Sequence, residues 1–160
     1  MIIDLKTIPQ DGPKHFELCL EKGWWNPEEH DDQIIGISNQ IKARVDVYKA
    51  GDKYILEGDM DGSVKISCDR CLAVYDFGIK TGFKLFFAQP SRYSNKAEIE
   101  LLEEDMETGF INGDEIELDD IFREQLYLSL PIKSLCKEKC LGLCPVCGKD
   151  LNIQRCQCEK

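Results

Sequence analysis

From Ile37 onward the chain alternates apolar and polar residues with a period of two. Ile41, Ala43, Val45 and Val47 fall on one side, with Lys42, Arg44 and Asp46 on the other, which is the signature of a strand with one dry and one wet face. Ala50-Gly51-Asp52 predicts a turn, after which Tyr54, Leu56 and Gly58 continue as a second strand. Asp61-Gly62 is a strong short-range hairpin signal and predicts a second turn. Val64, Ile66 and Cys68 then share one face of a third strand, and Ile79, Thr81, Phe83, Leu85 and Phe87 one face of a fourth. Cys68-Asp-Arg-Cys71 lies where the third strand turns into the fourth, and Pro90 ends the series.

Past this point the period changes. Leu118, Ile121, Phe122 and Leu126 recur at helical spacing, and Leu128 lies seven residues after Ile121. Asp119 and Asp120 suit a helix start through capping and the macrodipole, and Pro131 stops the helix. Ahead of the meander, Met1 to Leu5 and Phe16 to Leu20 read as short strands, while Pro13 and Trp24-Trp25-Asn26-Pro27 interrupt regular structure. Residues 132–160 hold six cysteines and few large apolar groups, so they cannot bury a core of their own and need a staple.

The pattern predicts an α+β fold: an antiparallel β-meander or partly open barrel with one C-terminal helix and a small cysteine-rich, zinc-binding tail. Residues 1–131 form the β domain, carrying an acidic loop (91–115) and the helix (119–130), and residues 132–160 form a zinc-binding ribbon. Composition agrees with a globular chain: 160 residues, 42% hydrophobic and 31% charged. No run of 18 apolar residues spans a membrane, and the start, Met1-Ile-Ile-Asp-Leu-Lys, is unlike a secretory signal, so the expected compartment is the cytoplasm.

Charge narrows the range of partners. The formal net charge is −10. Residues 91–120 alone carry eleven acidic side chains against Arg92 and Lys96, the mark of a solvated, mutually repelling segment. Such a chain is poorly suited to tracking a phosphate backbone and better suited to basic proteins.

The candidate chemistry is sulfur. Of nine cysteines, eight form local pairs: 68/71, 136/140, 144/147 and 156/158. In a reducing compartment such density reads as metal ligation rather than disulfides. Cys144-Pro-Val-Cys147-Gly148 is a zinc-knuckle pattern: two thiolates reach one ion from a tight turn, and the following glycine permits the left-handed backbone that the turn wants. Zinc takes four ligands, so four pairs suggest two structural ions, each held by four cysteines. The preferred assignment is Cys144, Cys147, Cys156 and Cys158 in one site and Cys68, Cys71, Cys136 and Cys140 in the other, which would clip the end of the helix to the sheet. Cys136 and Cys140, four apart, would share one side of a helical turn, ended by Gly142 and Pro145. The rival is a single ion in the tail with Cys68 and Cys71 as bystanders. Two filled sites would take the net charge to about −14.

Other candidates have plainer readings. Cys68-x-x-Cys71 as a redox dithiol would want a βαβ setting, whereas its flanks read as antiparallel strands. Cys19 reads as a small buried hydrophobe, His15 and His30 as surface histidines, and one of Trp24 and Trp25 as a core side chain rather than a base-stacking platform. No glycine-rich phosphate loop or acid–base constellation stands out, so the chain reads as a non-enzyme without a small-molecule substrate.

Cys68-Asp-Arg-Cys71-Leu72, Ile116-Glu-Leu-Asp-Asp-Ile-Phe-Arg-Glu-Gln-Leu126, Leu130-Pro131, Leu135 through Asn152 and Cys156-x-Cys158 together resemble, in order and spacing, the YceD-type proteins, named for accumulation of large-subunit ribosomal RNA. The resemblance spans residues 34–158. It implies a ribosome-assembly factor supporting accumulation or processing of 23S ribosomal RNA, whose partner is a ribosomal protein or a large-subunit assembly intermediate. The alternative is a zinc ribbon that contacts precursor ribosomal RNA directly through Lys133, Lys137, Lys139, Lys149, Arg155 and Lys160. An enzyme, such as a nuclease or thiol oxidoreductase, is the least favoured reading.

Overall fold

The alternating segments become three long strands. In a computed structural model that describes residues 1–26, 33–51, 53–88, 108–111 and 113–158, β3 runs Ile34–Ala50, β4 Lys53–Ser67 and β5 Val74–Ala88. Before them come β1 (Ile2–Asp4), a 3-10 turn over Leu5–Thr7, β2 (Lys14–Leu20) and a second 3-10 turn over Lys22–Trp24. After them come β6 (Thr108–Phe110), β7 (Glu115–Glu117) and α1 (Leu118–Leu128), the one α-helix among the described residues. The main sheet has the order β2-β3-β4-β5-β6, and β1 pairs separately with β7, antiparallel, with Ile3 opposite Ile116. The short links between β3 and β4 and between β4 and β5 leave no room for a parallel crossover, so these pairs are antiparallel hairpins. Cross-strand ion pairs sit on this register: Arg44–Asp59 at 3.2 Å between β3 and β4, and Lys65–Asp76 at 3.1 Å and Lys84–Glu57 at 2.5 Å between β4 and β5.

Two features depart from a pure meander of short strands. The sheet is mixed, because β6 pairs with β5 in parallel, Phe87 beside Gly109. The nineteen residues between those strands are long enough for a parallel return. The second departure is at Asp61-Gly62, where the chain does not turn: β4 passes straight through it as one strand. The reason lies in the phase of the pattern. Tyr54, Leu56, Met60, Val64 and Ile66 are all buried and all even-numbered, so the buried face continues unbroken across Gly62. A Cβ at Gly62 would lie 2.7 Å from Ile41 Cα and 2.9 Å from Gln40 O, so the glycine serves a close approach of two strands.

The chain divides into two compact units. The first holds Met1–Cys19, Lys42–Asp61 and Lys80–Ser129. Its core gathers Leu5, Val45, Val47, Leu56, Met60, Leu118, Phe122 and Leu126, with Phe122 edge-on to Phe83 at 6.2 Å between ring centres. The helix buries Leu118, Ile121, Phe122, Gln125 and Leu126, while Leu128 stays exposed. Asp119 and Asp120 lie in its first turn, but the N-cap is Glu117 without a side-chain cap bond. Asp119 pairs instead with the amino group of Met1, and Asp120 with Arg123. The helix ends at Leu128 with Ser129 as its C-cap, two residues before Pro131.

The second unit holds Leu20–Ile41, Gly62–Ile79 and Leu130–Lys160. Trp25 is its buried tryptophan, with the indole N–H donating to Ile34 O at 3.0 Å. No helix among the described residues is long and apolar enough to cross a membrane. Asp52, Pro27, His30, Pro90 and most of the acidic segment (89–107) lie outside the described residues.

Candidate metal centres

Both cysteine constellations fall within the second unit. The first begins in the link between β4 and β5. Cys68 N donates to Ala73 O at 3.0 Å and Leu72 N to Cys68 O at 2.9 Å, folding Cys68-Asp-Arg-Cys71 into a tight turn that places Leu72 in the left-handed region at φ 60°. Asp69 clamps this turn to the segment after the helix. Its N–H donates to Ser134 O at 2.8 Å, and its carboxylate accepts from Ser134 N at 2.6 Å. Arg70 adds a second clamp, donating from Nη1 to Cys140 O at 2.8 Å. Cys136 and Cys140 approach from a turn closed by Cys140 N donating to Lys137 O at 3.0 Å, rather than from a helix. The result places Cys68 Sγ 3.7 Å from Cys140 Sγ and Cys71 Sγ 3.6 Å from Cys136 Sγ. Tyr75, Leu135 and Leu143 pack around the group, and Cys68 and Cys140 are almost wholly buried.

The second group is built on the knuckle of the tail. Gly148 N donates to Cys144 O at 2.9 Å and Cys144 N to Lys149 O at 2.8 Å, with Gly148 at φ 69°, a left-handed turn that suits glycine. A bridge between Leu143 and Asp150 makes this turn the tip of a miniature hairpin. Cys156 then returns to 3.4 Å from Cys144, and Cys158 completes the set. Cys144 is buried, Cys156 and Cys158 half-buried, and Cys147 exposed.

In each group all four sulfurs lie within 4.8 Å of one another. Four thiolates about 2.3 Å from a central zinc would be spaced at the edges of a tetrahedron, about 3.8 Å apart, whereas a disulfide needs about 2.05 Å. The contacts of 3.4–3.7 Å match the tetrahedron and not the disulfide. All eight residues are soft donors, which fits zinc and excludes the hard cations that want oxygen. These groups can hold metal ions.

The electrostatics of the two groups are alike. Burial works to raise the Cys68 thiol, but N–H groups of Cys136, Arg70 and Cys71 outweigh it and hold the thiol down to about 6. Cys144 is also held down to about 6, by the N–H groups of Cys147 and Val146 and then by Cys156. Backbone N–H groups thus converge on the first sulfur of each group, from the knuckle itself at Cys144 and from both the knuckle and Cys136 at Cys68. In each group a later sulfur is pushed the other way. Burial, then the neighbouring thiols, raises Cys136 to about 12, and Cys147 together with burial raises Cys158 to about 12. Four thiolates cannot crowd together uncompensated, and a dication at the centre reverses that repulsion.

The ninth cysteine, Cys19, is exposed on β2 rather than buried. It occupies one of that strand's outward positions, between half-buried Leu18 and buried Leu20. His15 is exposed and meets Asp46 at 2.5 Å. Sequence patterning passed over the residues that position the sulfurs: Asp69, Arg70, Ser134 and Asn152. The only signal was their place inside or beside the cysteine spacings, since a polar residue in a turn looks the same whether or not it clamps another segment.

A β-sheet protein carrying two sets of four clustered cysteines is the class that fold and site define. Within it, the family model described as "Large ribosomal RNA subunit accumulation protein YceD" matches residues 56–160, and the chain belongs to that family. Uncharacterized proteins of Mycobacterium tuberculosis and Mycobacterium bovis are each 33% identical over 153 residues, covering 94% of this chain and 70% of their own. A protein of Arabidopsis thaliana named "Large ribosomal RNA subunit accumulation protein YCED homolog 1, chloroplastic" is 24% identical over 151 residues, covering 75% of this chain and 44% of its own. No solved structure matches.

Proposed function

We propose that this protein is a non-catalytic, cytoplasmic ribosome-assembly factor that supports accumulation or processing of large-subunit ribosomal RNA, and that zinc in two four-cysteine sites holds its C-terminal region in shape. The carrying observation is that the family description and a relative's name agree on large-subunit ribosomal RNA accumulation, in a chain whose clustered cysteines suit closed structural metal sites. A closed set of four thiolates leaves no open position for a reacting water. The ribbon of residues 132–160 and the turn at Cys68–Cys71 then become one rigid docking end.

The acidic character of the chain favours a basic ribosomal protein, or a particle that exposes one, as the direct partner. Net charge is −10, and four acidic side chains, Glu17, Asp46, Glu57 and Asp59, line one shallow groove alongside Arg44 and His15. Affinity capture of the tagged protein at low salt, paired with sucrose-gradient profiles of cells lacking it, tests the reading. A captured large-subunit precursor and a deficit of large subunits are expected. Empty captures together with a normal profile would overturn it.

One observation supports the second reading, direct contact with precursor ribosomal RNA. Lys133, Lys137, Lys139, Lys149 and Arg155 are all exposed in the tail. Each filled site adds two negative charges nearby, which weakens the case. A falling RNA affinity with rising salt would favour this reading, and a flat salt titration would discard it.

A further inference from the structure

The two cysteine groups are not separate in space. Arg70, inside the first knuckle, accepts through its carbonyl oxygen from Leu143 N at 3.0 Å, one residue before Cys144 of the second group. Gly142 allows that approach: it lies at φ 75°, and a Cβ there would sit 2.9 Å from Arg70 O.

A second link involves a side chain directly. Asn152 lies within the loop that Cys144, Cys147, Cys156 and Cys158 close, yet its side chain serves the other group. Its Nδ2 donates to Cys140 Sγ at 3.4 Å and to Asp150 Oδ1 at 2.7 Å, and its Oδ1 accepts from Leu141 N at 2.9 Å. Its own backbone N–H donates to Asp150 Oδ1 at 2.8 Å, and Leu151 N donates to Gly142 O at 2.9 Å. The amide is thereby fixed in orientation on both sides, with one N–H aimed at the sulfur of Cys140, a residue only 1% exposed. An N–H donated to a metal-bound thiolate stabilises the charged sulfur and holds it in place.

We propose that the two four-cysteine groups take up their metal ions cooperatively, with Asn152 as the positioning residue that carries the coupling from the tail loop to Cys140. This rests on both groups being metal sites. An ion in the second group closes the loop from Cys144 to Cys158 and so fixes Asn152, which secures the Cys140 thiolate for the first ion. By thermodynamic reciprocity, an ion in the first group orders residues 140–143 and favours closure of the second.

Native mass spectrometry of the full-length chain during stepwise zinc titration, in competition with a chelator, reads the coupling. The one-ion species is expected to stay well below its statistical share. In Asn152→Ala, which loses the N–H donor, the first group should bind zinc about tenfold more weakly and one-ion chains should accumulate, the usual scale for an outer partner of a metal ligand. Asn152→Asp keeps the acceptor for Leu141 N but replaces the donor with a charge facing sulfur, so its loss should be larger. In a Cys147→Ser chain, where the second site is broken, Asn152→Ala should add little. Circular dichroism and the position of the cobalt–thiolate absorption band in the same variants separate a local change at Cys140 from general unfolding. Statistical filling of two sites, or an Asn152→Ala chain with wild-type affinity, would overturn the coupling and leave the metal sites standing. A chain that binds no zinc at all would overturn both.

Discussion

Asp69 shows how a single side chain can set a site without being a ligand. It sits between two cysteines in the first knuckle, and its carboxylate accepts from the backbone N–H of Ser134, a residue with no exposed surface. The N–H of Asp69 in turn donates to Ser134 O, so the turn and the irregular segment beyond the helix are locked in one register. Cys136, two residues on, is thereby delivered to Cys71. Replacing Asp69 with alanine strands a buried N–H donor, a loss of about 1–3 kcal/mol. Urea unfolding of the metal-loaded Asp69→Ala protein is expected to show that loss. Stability unchanged within about 0.5 kcal/mol would show that the clamp is incidental.

At the scale of elements, the long central strands decide where the knuckles can form. β4 is continuous through Asp61-Gly62, which carries it to Ser67 and puts Cys68 at its end. Valine at Gly62 would collide with Ile41 Cα and Gln40 O, both parts of the neighbouring strand and unable to rotate away. Overpacking of this kind costs about 1–3 kcal/mol, whereas Asp61→Ala, at the exposed position beside it, should stay within about 0.5 kcal/mol. Equal tolerance of both changes in thermal unfolding would argue for a turn here after all.

The same position shows what local reading misses. Asp-Gly is chemically suited to a turn, and only the uninterrupted even-numbered phase of buried residues on both sides reveals that no turn is made. Strand periodicity, the helix over Leu118–Leu128 and the dense cysteine pairing were all legible, because each repeats over many residues. The parallel β5–β6 pair was not, since β6 has three residues and its partner is distant in sequence. Cys19 deceived for a related reason: one cysteine carries no pattern, so its exposure depends only on which face of β2 it occupies.

For the whole molecule, the organising fact is that residues from three separate stretches of the chain make one unit, and both cysteine groups lie in it. That unit has apolar side chains left in water, among them Leu72, Leu141, Val146 and Ile153, and an isolated β-bridge in place of a sheet in its tail. Under the proposed function, sulfur–metal bonds would supply the order that burial does not. A basic, particle-bound partner would then meet a preformed surface rather than a segment that must fold on contact.

The central claim is that eight sulfurs hold two ions. Native mass spectrometry of protein purified without chelator counts them directly. Two zinc ions per chain are expected, with Cys68→Ser and Cys147→Ser each losing at least the ion of its own group. A metal-free chain whose residues 130–158 remain ordered, or a Cys68→Ser chain that still carries two ions, would contradict it.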